Sequence, residues 1–161
     1  MRVLGIDPGL GGAFALIDTG LKFLLVADMP IKPLSKGKKA ICAASCADII
    51  SAYDPDLALV ERVHAMKGQG VSSCFNFGTG YGVLQGALSA LHVPYHLITP
   101  QEWKKYHRLG PDKGASRGAA ARLFPEQAEL FSRVRDDGRA EAALLALFGL
   151  CCVVQQTHTT H

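Results

Sequence analysis

The amino-acid sequence predicts an α/β fold in which helices flank a mixed, five-stranded sheet. Three short apolar runs joined by tight turns open the chain, and two further apolar runs follow, each beside a segment of helical composition. Strands joined by tight turns pair antiparallel, whereas strands that alternate with helices are typical of parallel pairing. The length of 161 residues suits a single domain. We expect residues 1–154 to form this domain and residues 155–161 to form a short polar tail.

The N-terminal part of the chain contains the antiparallel strands. Residues 2–6 are a mainly apolar strand, which ends at the Asp-Pro-Gly turn of residues 7–9. Gly11 and Gly12 lead into a second strand at residues 13–18, and a Thr-Gly turn leads into a third at residues 22–26. This pattern predicts an antiparallel meander.

The rest of the chain alternates between helices and strands. Helices are predicted at residues 40–52, 72–91, 101–106, 114–124 and 137–150, strands at 57–60 and 94–98, and a basic loop at 30–39. The longest apolar run, residues 142–154, is shorter than the roughly 20 residues that span a bilayer, so it predicts a buried helix. The N-terminus does not resemble a signal peptide. We therefore expect a cytoplasmic protein without membrane contact.

Basic residues are unevenly distributed along the chain. The 17 Lys and Arg against 14 Asp and Glu give a net charge of only +3, which by itself is weak evidence for a nucleic-acid partner. The basic residues nevertheless cluster at 32–39, at 104–108 and at 113–122. Such local clusters can bind a polyanion, although a solvated lysine-rich loop would have the same composition.

Two acidic residues lie where buried strands are predicted to end. Asp7 follows the apolar run VLGI, and Glu61 follows LALV. Ligand sites of open sheets gather at the ends of such strands, so both carboxylates are candidates for a functional site. A turn residue at Asp7 and an ordinary ion-pair partner at Glu61 are the simpler alternatives.

The last predicted helix adds further carboxylates. Asp137 and Glu141 are four residues apart, and apolar residues continue the same helical stripe, so both are expected to face the sheet. Asp136 lies off this stripe and is better placed as a helix cap. Capping by both aspartates is the alternative interpretation, but it leaves Glu141 unexplained.

Converging carboxylates without a cysteine or histidine ligand indicate a site for hard cations. Four buried carboxylates would repel one another unless cations lay between them. Oxygen ligands suit Mg²⁺ or Mn²⁺ and do not suit zinc. Two such ions form the usual apparatus for phosphodiester cleavage, so we expect two Mg²⁺ per site, with Mn²⁺ able to substitute.

Five sequence blocks resemble the RuvC-type Holliday junction resolvases, the crossover junction endodeoxyribonucleases. In chain order these blocks are GIDPGLGGAFALID, LVERVHAMKGQGVSSCFNFGTGYGVLQGAL, TPQEWKK, LFPE and DDGRAEAALLA. The resemblance extends over nearly the whole chain and is greatest to the phage, prophage and plant chloroplast proteins. It implies a ribonuclease-H-like fold, a bacterial or phage-infected host cytoplasm, and a homodimer that nicks four-way DNA junctions symmetrically.

The resemblance also assigns roles to individual residues. It implies that the catalytic, metal-binding carboxylates are Asp7, Glu61, Asp137 and Glu141. Bacterial RuvC has an Asp or His three residues before its last carboxylate, where this chain has Gly138, so the choice between Asp136 and Asp137 stays open. The basic catalytic residues of the family fall on Lys104 and Lys113.

The expected DNA-binding surface combines a loop with the basic clusters. Gly68 and Gly70 allow close approach of the backbone to a ligand, and Lys67 and Gln69 can contact phosphate or a base edge. The resemblance places this loop near the exchange point of the junction. The remaining candidate DNA contacts are Lys36, Lys38, Lys39, Lys105 and Arg117.

The long predicted helix carries two stripes. One consists of small residues at every fourth position, from Gly78 to Ala90. The other is apolar and comprises Phe77, Tyr81, Leu84, Leu88 and Leu91. One face can lie on the sheet while the other meets a second copy of the chain. We expect the apolar stripe, with Phe77, Tyr81, Leu84 and Leu88, to form a dimer interface.

Three other functions share some of these features. An actin-like ATPase or sugar kinase begins with a similar Asp and Gly-rich hairpin, but it needs a second lobe and a second nucleotide motif. A ribosomal-RNA-processing nuclease of the same fold would lack the GQG and GRAEA blocks. A non-catalytic junction-binding protein would have no need of four inward carboxylates.

Overall fold

The structure is a computed structural model that describes residues 1–64, 68, 70–112 and 114–153. The strands within these ranges are β1 (Arg2–Asp7), β2 (Ala13–Asp18), β3 (Phe23–Asp28), β4 (Ile31–Pro33), β5 (Lys39–Ile41), β6 (Leu57–Glu61) and β7 (Tyr95–Ile98). The α-helices are α1 (Ala43–Tyr53), α2 (Val71–Ala90), α3 (Pro100–Tyr106), α4 (Ala115–Leu123) and α5 (Asp137–Phe148). Short 3₁₀ turns connect α4 to α5, and a π-helical turn follows α5. The polar tail at residues 155–161 lies outside the described residues.

The main sheet has five strands in the order β3-β2-β1-β6-β7. Its first three strands form an antiparallel meander, and β1–β6 and β6–β7 pair in parallel. The predicted mixed, five-stranded sheet is confirmed. Strands β1 and β6 are central and buried, which explains why their sequences are almost entirely apolar.

A second, two-stranded sheet was absent from the predicted elements. The basic segment expected to be a loop at residues 30–39 includes β4 and part of β5, which pair antiparallel. The chain reverses between them with Lys36 at a φ of 58° and Gly37 at a φ of 71°. Because β5 takes residues 39–41, helix α1 begins later than the sequence pattern suggested.

Helices cover both faces of the main sheet. On one face α5 packs against β1 and β2, and its Ala142–Leu147 segment is buried. Gly5 makes this contact close, since a Cβ atom there would overlap the carbonyl oxygen of Ala142. On the other face, α1 and α2 contribute to a second apolar core. The central strands are therefore buried on both sides.

Helix α2 presents its apolar stripe to its own sheet, so the predicted dimer interface is wrong in part. Leu84 and Leu88 are fully buried in the core of this chain and cannot contact a second copy. Phe77 and Tyr81 are half-buried, and Tyr81 packs against the same core. The opposite face is exposed and carries the glycines at positions 78, 82 and 86, where an added Cβ would meet open space.

Among the described residues, the helices are all too short or too polar to cross a bilayer. The apolar run at residues 142–154 instead forms the buried part of α5 and, in its described portion, the helical turn after it.

Candidate active site

Adjacent strands bring two carboxylates to one edge of the sheet. Strands β1 and β6 run parallel with Ile6 opposite Val60, so the next residues, Asp7 and Glu61, are neighbours. Both strands end here because a Pro-Gly turn follows Asp7 and a loop follows Glu61. The prediction that these two strands end in acidic residues is confirmed by the element bounds.

The N-terminal part of α5 brings a third carboxylate to the same edge. Gly138 lies against the loop after β1, because a Cβ atom there would be 3.0 Å from Asp7 Oδ2 and would overlap the carbonyl oxygen of Gly11. One turn later, Glu141 reaches the two strand ends. Carboxylate oxygens of Asp7, Glu61 and Glu141 all lie within 4.8 Å of one another.

Burial and neighbouring negative charge raise the proton affinity of two of these carboxylates, those of Asp7 and Glu61. Burial, followed by the charges of Glu141 and Glu61, raises the pKa of Asp7 to about 7. Burial and the charge of Glu141 also raise the pKa of Glu61. Crowded acids of this kind favour a bound cation, which removes both the repulsion and the desolvation cost.

Basic and polar groups surround the carboxylate cluster. Lys104 Nζ lies 3.3 Å from Glu141 Oε1, and the Ser116 hydroxyl donates to the same oxygen at 3.1 Å. The indole Nε1 of Trp103 donates to Glu61 Oε1 at 3.0 Å. One oxygen of each glutamate is thus engaged by the protein, which leaves the other oxygen for a ligand.

Asp137 lies apart from the other three carboxylates. The expectation that it faces the sheet rather than water is wrong, since its side chain is half-exposed and ion-paired with Arg117, with Nε 2.6 Å from Oδ1. It lines the same cleft as Asp7 and Glu141. The stripe argument fails because Asp137 is the first residue of α5, where the bulky sheet contacts have not yet begun.

Asp136 is the more buried of the two aspartates, with 1% of its side chain exposed. It occupies the N-cap position of α5, as predicted, but its carboxylate does not cap α5. Instead, it accepts hydrogen bonds from the backbone and guanidinium of Arg133, which lower its pKa. Asp136 therefore anchors the turn that precedes α5.

The cluster opens into a cleft of about 700 Å³ between α5, α3 and the N-terminus of α4. Its charged lining residues are Asp7, Lys104, Asp112, Arg117, Asp137 and Glu141. Carboxylates beside basic side chains suit a cation and a phosphate at the same place, since each charge stabilises the opposite one.

Most of the predicted DNA-contacting residues lie on exposed surfaces. Lys36, Lys38 and Lys39 belong to the β4–β5 hairpin, and Lys105 is exposed on α3. Lys38 and Lys39 also line a second groove of about 470 Å³, together with Phe77. The predicted contacts Lys67 and Gln69, and the predicted catalytic residue Lys113, lie outside the described residues.

Trp103 and Ser116 are the residues that sequence reasoning missed among those in contact with the carboxylate cluster, and Trp103 is the larger of the two. Trp103 is fully buried, yet the only hydrogen-bond donor of its side chain points at a carboxylate of the cluster. Its signal in the sequence is slight: it is the one tryptophan of the chain and directly precedes Lys104.

Comparison with known proteins finds a relative in sequence and solved structures with a similar fold. No family model matches it. A curated crossover junction endodeoxyribonuclease RuvC from Parasynechococcus marenigrum is 28% identical over 155 residues, which cover 92% of this chain and 97% of that protein. The solved T. thermophilus RuvC in complex with Holliday junction substrate has a TM-score of 0.62 at 17% identity, covering 99% of this chain and 97% of that one. The yeast mitochondrial Holliday junction resolvase Ydc2 has a TM-score of 0.55 at 17% identity, covering 97% and 80%. The resemblance to RuvC-type resolvases and their ribonuclease-H-like fold is confirmed.

Proposed function

We propose that this chain, a RuvC-type protein in sequence and in fold, is an endonuclease that resolves four-way DNA junctions by symmetric phosphodiester hydrolysis. The observation that carries the proposal is the convergence of the Asp7, Glu61 and Glu141 carboxylates, within 4.8 Å of one another, beside a cleft that also contains the basic side chains of Lys104 and Arg117. We assign this activity to a single domain spanning residues 1–154.

The carboxylates are the proposed ligands of two Mg²⁺ ions, which Mn²⁺ can replace. The donor set fits, because all the ligand atoms are oxygens and because burial beside two other acids, which raises the pKa of Asp7, would be offset by a bound cation. Asp7, Glu61 and Glu141 hold these ions, and Asp137 is the proposed fourth ligand. Bound at this site, the ions would activate water and stabilise the leaving oxygen of the phosphodiester.

The protein's own basic groups position the scissile phosphate. Lys104 lines the cleft next to Glu141, so its ammonium group would be able to pair with a phosphate oxygen if Glu141 held a cation. Arg117 neutralises Asp137 in the absence of a ligand. If Asp137 held a cation, the guanidinium of Arg117 would be available for the DNA backbone. Lys113 is proposed as a further basic catalytic residue.

The DNA arms lie across the basic surfaces beside the cleft. We assign phosphate contacts to Lys36, Lys38 and Lys39 of the β4–β5 hairpin and to Lys105 of α3, because all of them are exposed. The loop with Lys67 and Gln69 is the proposed contact with the exchange point. These contacts supply affinity, while the branched shape of the DNA supplies selectivity.

A homodimer supplies the two active sites that symmetric nicking needs. The exposed face of α2 is the proposed contact, in place of the buried leucines. Its glycines permit close approach of a second helix, and Phe75 near its start has 74% of its surface exposed. A charge on this face, as in Gly82→Glu, should give a folded monomer that releases singly nicked junctions. Sedimentation of wild type and variant tests this; an unchanged dimer would place the contact elsewhere.

Cleavage of a synthetic four-way junction beside linear duplex, with and without Mg²⁺, tests the function directly. Paired nicks in the junction alone, and only with the metal, are expected. Junction binding without cleavage in any divalent metal would favour a non-catalytic junction-binding protein. Preferential cleavage of structured RNA would favour an RNA-processing nuclease of the same fold. Either result would overturn the proposed function.

A further inference from the structure

We propose that Trp103 is a positioning residue of the metal site, whose indole N–H holds Glu61 in the orientation that binds the cation. This inference rests on the proposed function, because it concerns the same carboxylate cluster. Trp103 is fully buried, and its Nε1 donates to Glu61 Oε1 at 3.0 Å.

Strand pairing and a helix cap together place the Trp103 indole beside the Glu61 carboxylate. In the parallel pairing of β6 with β7, Glu61 lies opposite Ile98, and the N–H of Arg62 donates to the Ile98 carbonyl at 2.7 Å. Thr99 then starts α3 with a capping box, in which its side chain and that of Glu102 each accept from the other's backbone N–H. Trp103 follows one turn after this cap and therefore lies over the end of β6.

The hydrogen bond fixes the orientation of the Glu61 carboxylate and still leaves lone pairs free for a cation. A carboxylate has about four lone-pair sites, so an indole on Oε1 leaves Oε2 and further lone pairs for a cation. The adjacent residue of the same helix, Lys104, contacts Glu141 at 3.3 Å and lies 5.0 Å from the centre of the Trp103 ring. Two consecutive residues of α3 thus orient two of the three carboxylates.

A purely structural role for Trp103 would depend on its volume and not on its N–H. The ring packs in the same apolar core as Phe131, so a smaller side chain would leave a cavity. A buried indole also needs a hydrogen-bond acceptor of some kind. A positioning role differs because the acceptor of the indole N–H is a proposed metal ligand. Hydrogen-bond partners of metal ligands change the affinity of the site for its metal.

The single tryptophan makes a test at the level of one atom feasible. Because the chain has one Trp, biosynthetic replacement of tryptophan by β-(3-benzothienyl)alanine changes only residue 103. That analogue keeps the bicyclic shape and replaces the N–H by sulfur. 4-Fluorotryptophan, incorporated in the same way, retains the N–H and is the matched control.

Mn²⁺ binding to the metal-free protein, measured by calorimetry, is the main readout. We expect the benzothienyl protein to bind Mn²⁺ about tenfold more weakly or worse, in the range typical of lost partners of metal ligands. The fluorotryptophan protein should keep the wild-type affinity. In junction cleavage, the Mn²⁺ concentration for half-maximal rate should rise, while saturating Mn²⁺ should restore much of the rate. Equal Mn²⁺ affinities in the two analogue proteins would overturn the proposal.

A second pair of variants covers the case in which the analogue does not fold. Trp103→Phe removes the N–H and some volume, whereas Phe131→Leu removes volume from the same core and leaves the N–H. Only Trp103→Phe should weaken Mn²⁺ binding; an equal loss in both variants would overturn the proposal. If wild type binds Mn²⁺ in the expected way but cuts no junction, the proposed function fails while the role of Trp103 stands.

Discussion

Asp7→Asn removes one negative charge from the carboxylate cluster and keeps the shape of the side chain. We expect it to abolish junction cleavage, because Asp7 is a proposed metal ligand, and to leave junction binding intact or tighter. Binding depends mainly on phosphate contacts by lysine and arginine, and these are retained. The same charge removal should change the stability of the metal-free protein, and its size can be worked out from the structure.

The magnitude follows from the pKa of Asp7, which burial and the charges of Glu141 and Glu61 raise from 3.8 to about 7. A rise of about three in pKa corresponds to about 4 kcal/mol between the two protonation states. The unfolded chain releases this proton near pH 4, whereas the folded protein holds it until about pH 7. Metal-free wild type therefore loses stability as the pH rises through this window. The Asn variant has no charge to bury and avoids the loss.

Urea denaturation in the presence of a chelator, between about pH 4 and pH 8, tests this expectation. Near pH 8, Asp7→Asn should be more stable than wild type, by at most about 4 kcal/mol, and the difference should shrink toward pH 4. Saturating Mg²⁺ should stabilise wild type more than the variant. Asp48→Asn on the exposed surface of α1 makes the same chemical change and should have little effect. A less stable Asp7→Asn near pH 8, or near-normal cleavage in Mg²⁺, would refute the reasoning.

Three further sets of substitutions distinguish residues of the site from residues that support the fold. Asp137→Asn should impair single-turnover cleavage far more than Asp136→Asn, and the reverse order of cleavage rates would make Asp136 the ligand. Asp136→Asn should instead lower the free energy of unfolding by about 1–3 kcal/mol, because it removes the charge from a buried carboxylate that is hydrogen-bonded to the half-exposed Arg133. Gly138→Ala should reduce both stability and Mn²⁺ affinity, because a Cβ there overlaps the loop after β1; wild-type values in calorimetry would contradict this. Leu84→Ala or Leu88→Ala should cost about 2–5 kcal/mol in denaturant unfolding without changing the oligomeric state, because both leucines are core residues; dissociation to a folded monomer of wild-type stability would contradict this.

The sequence was sufficient to predict the main sheet and the three carboxylates that lie together at its edge. Asp7 and Glu61 each end a run of apolar residues, and such runs become central strands because only a strand covered on both faces can bury them. Parallel neighbours end at the same edge, so the meeting of these two carboxylates follows from the pattern alone. Glu141 was equally predictable, since it precedes the continuous apolar stretch of α5.

The rotation of each helix about its own axis was decided only by the tertiary structure. Helix α2 has one apolar and one small-residue stripe, and either could face a sheet; the buried leucines and exposed glycines show which one does. At the start of α5, local periodicity placed Asp137 inward, but contacts at Gly138 fix the turn so that Asp137 faces Arg117. Trp103 meets Glu61 across 42 residues of sequence through the register of β6 with β7. Sequence periodicity indicates which residues share one face of a helix or strand. What that face packs against depends on the arrangement of several helices and strands at once.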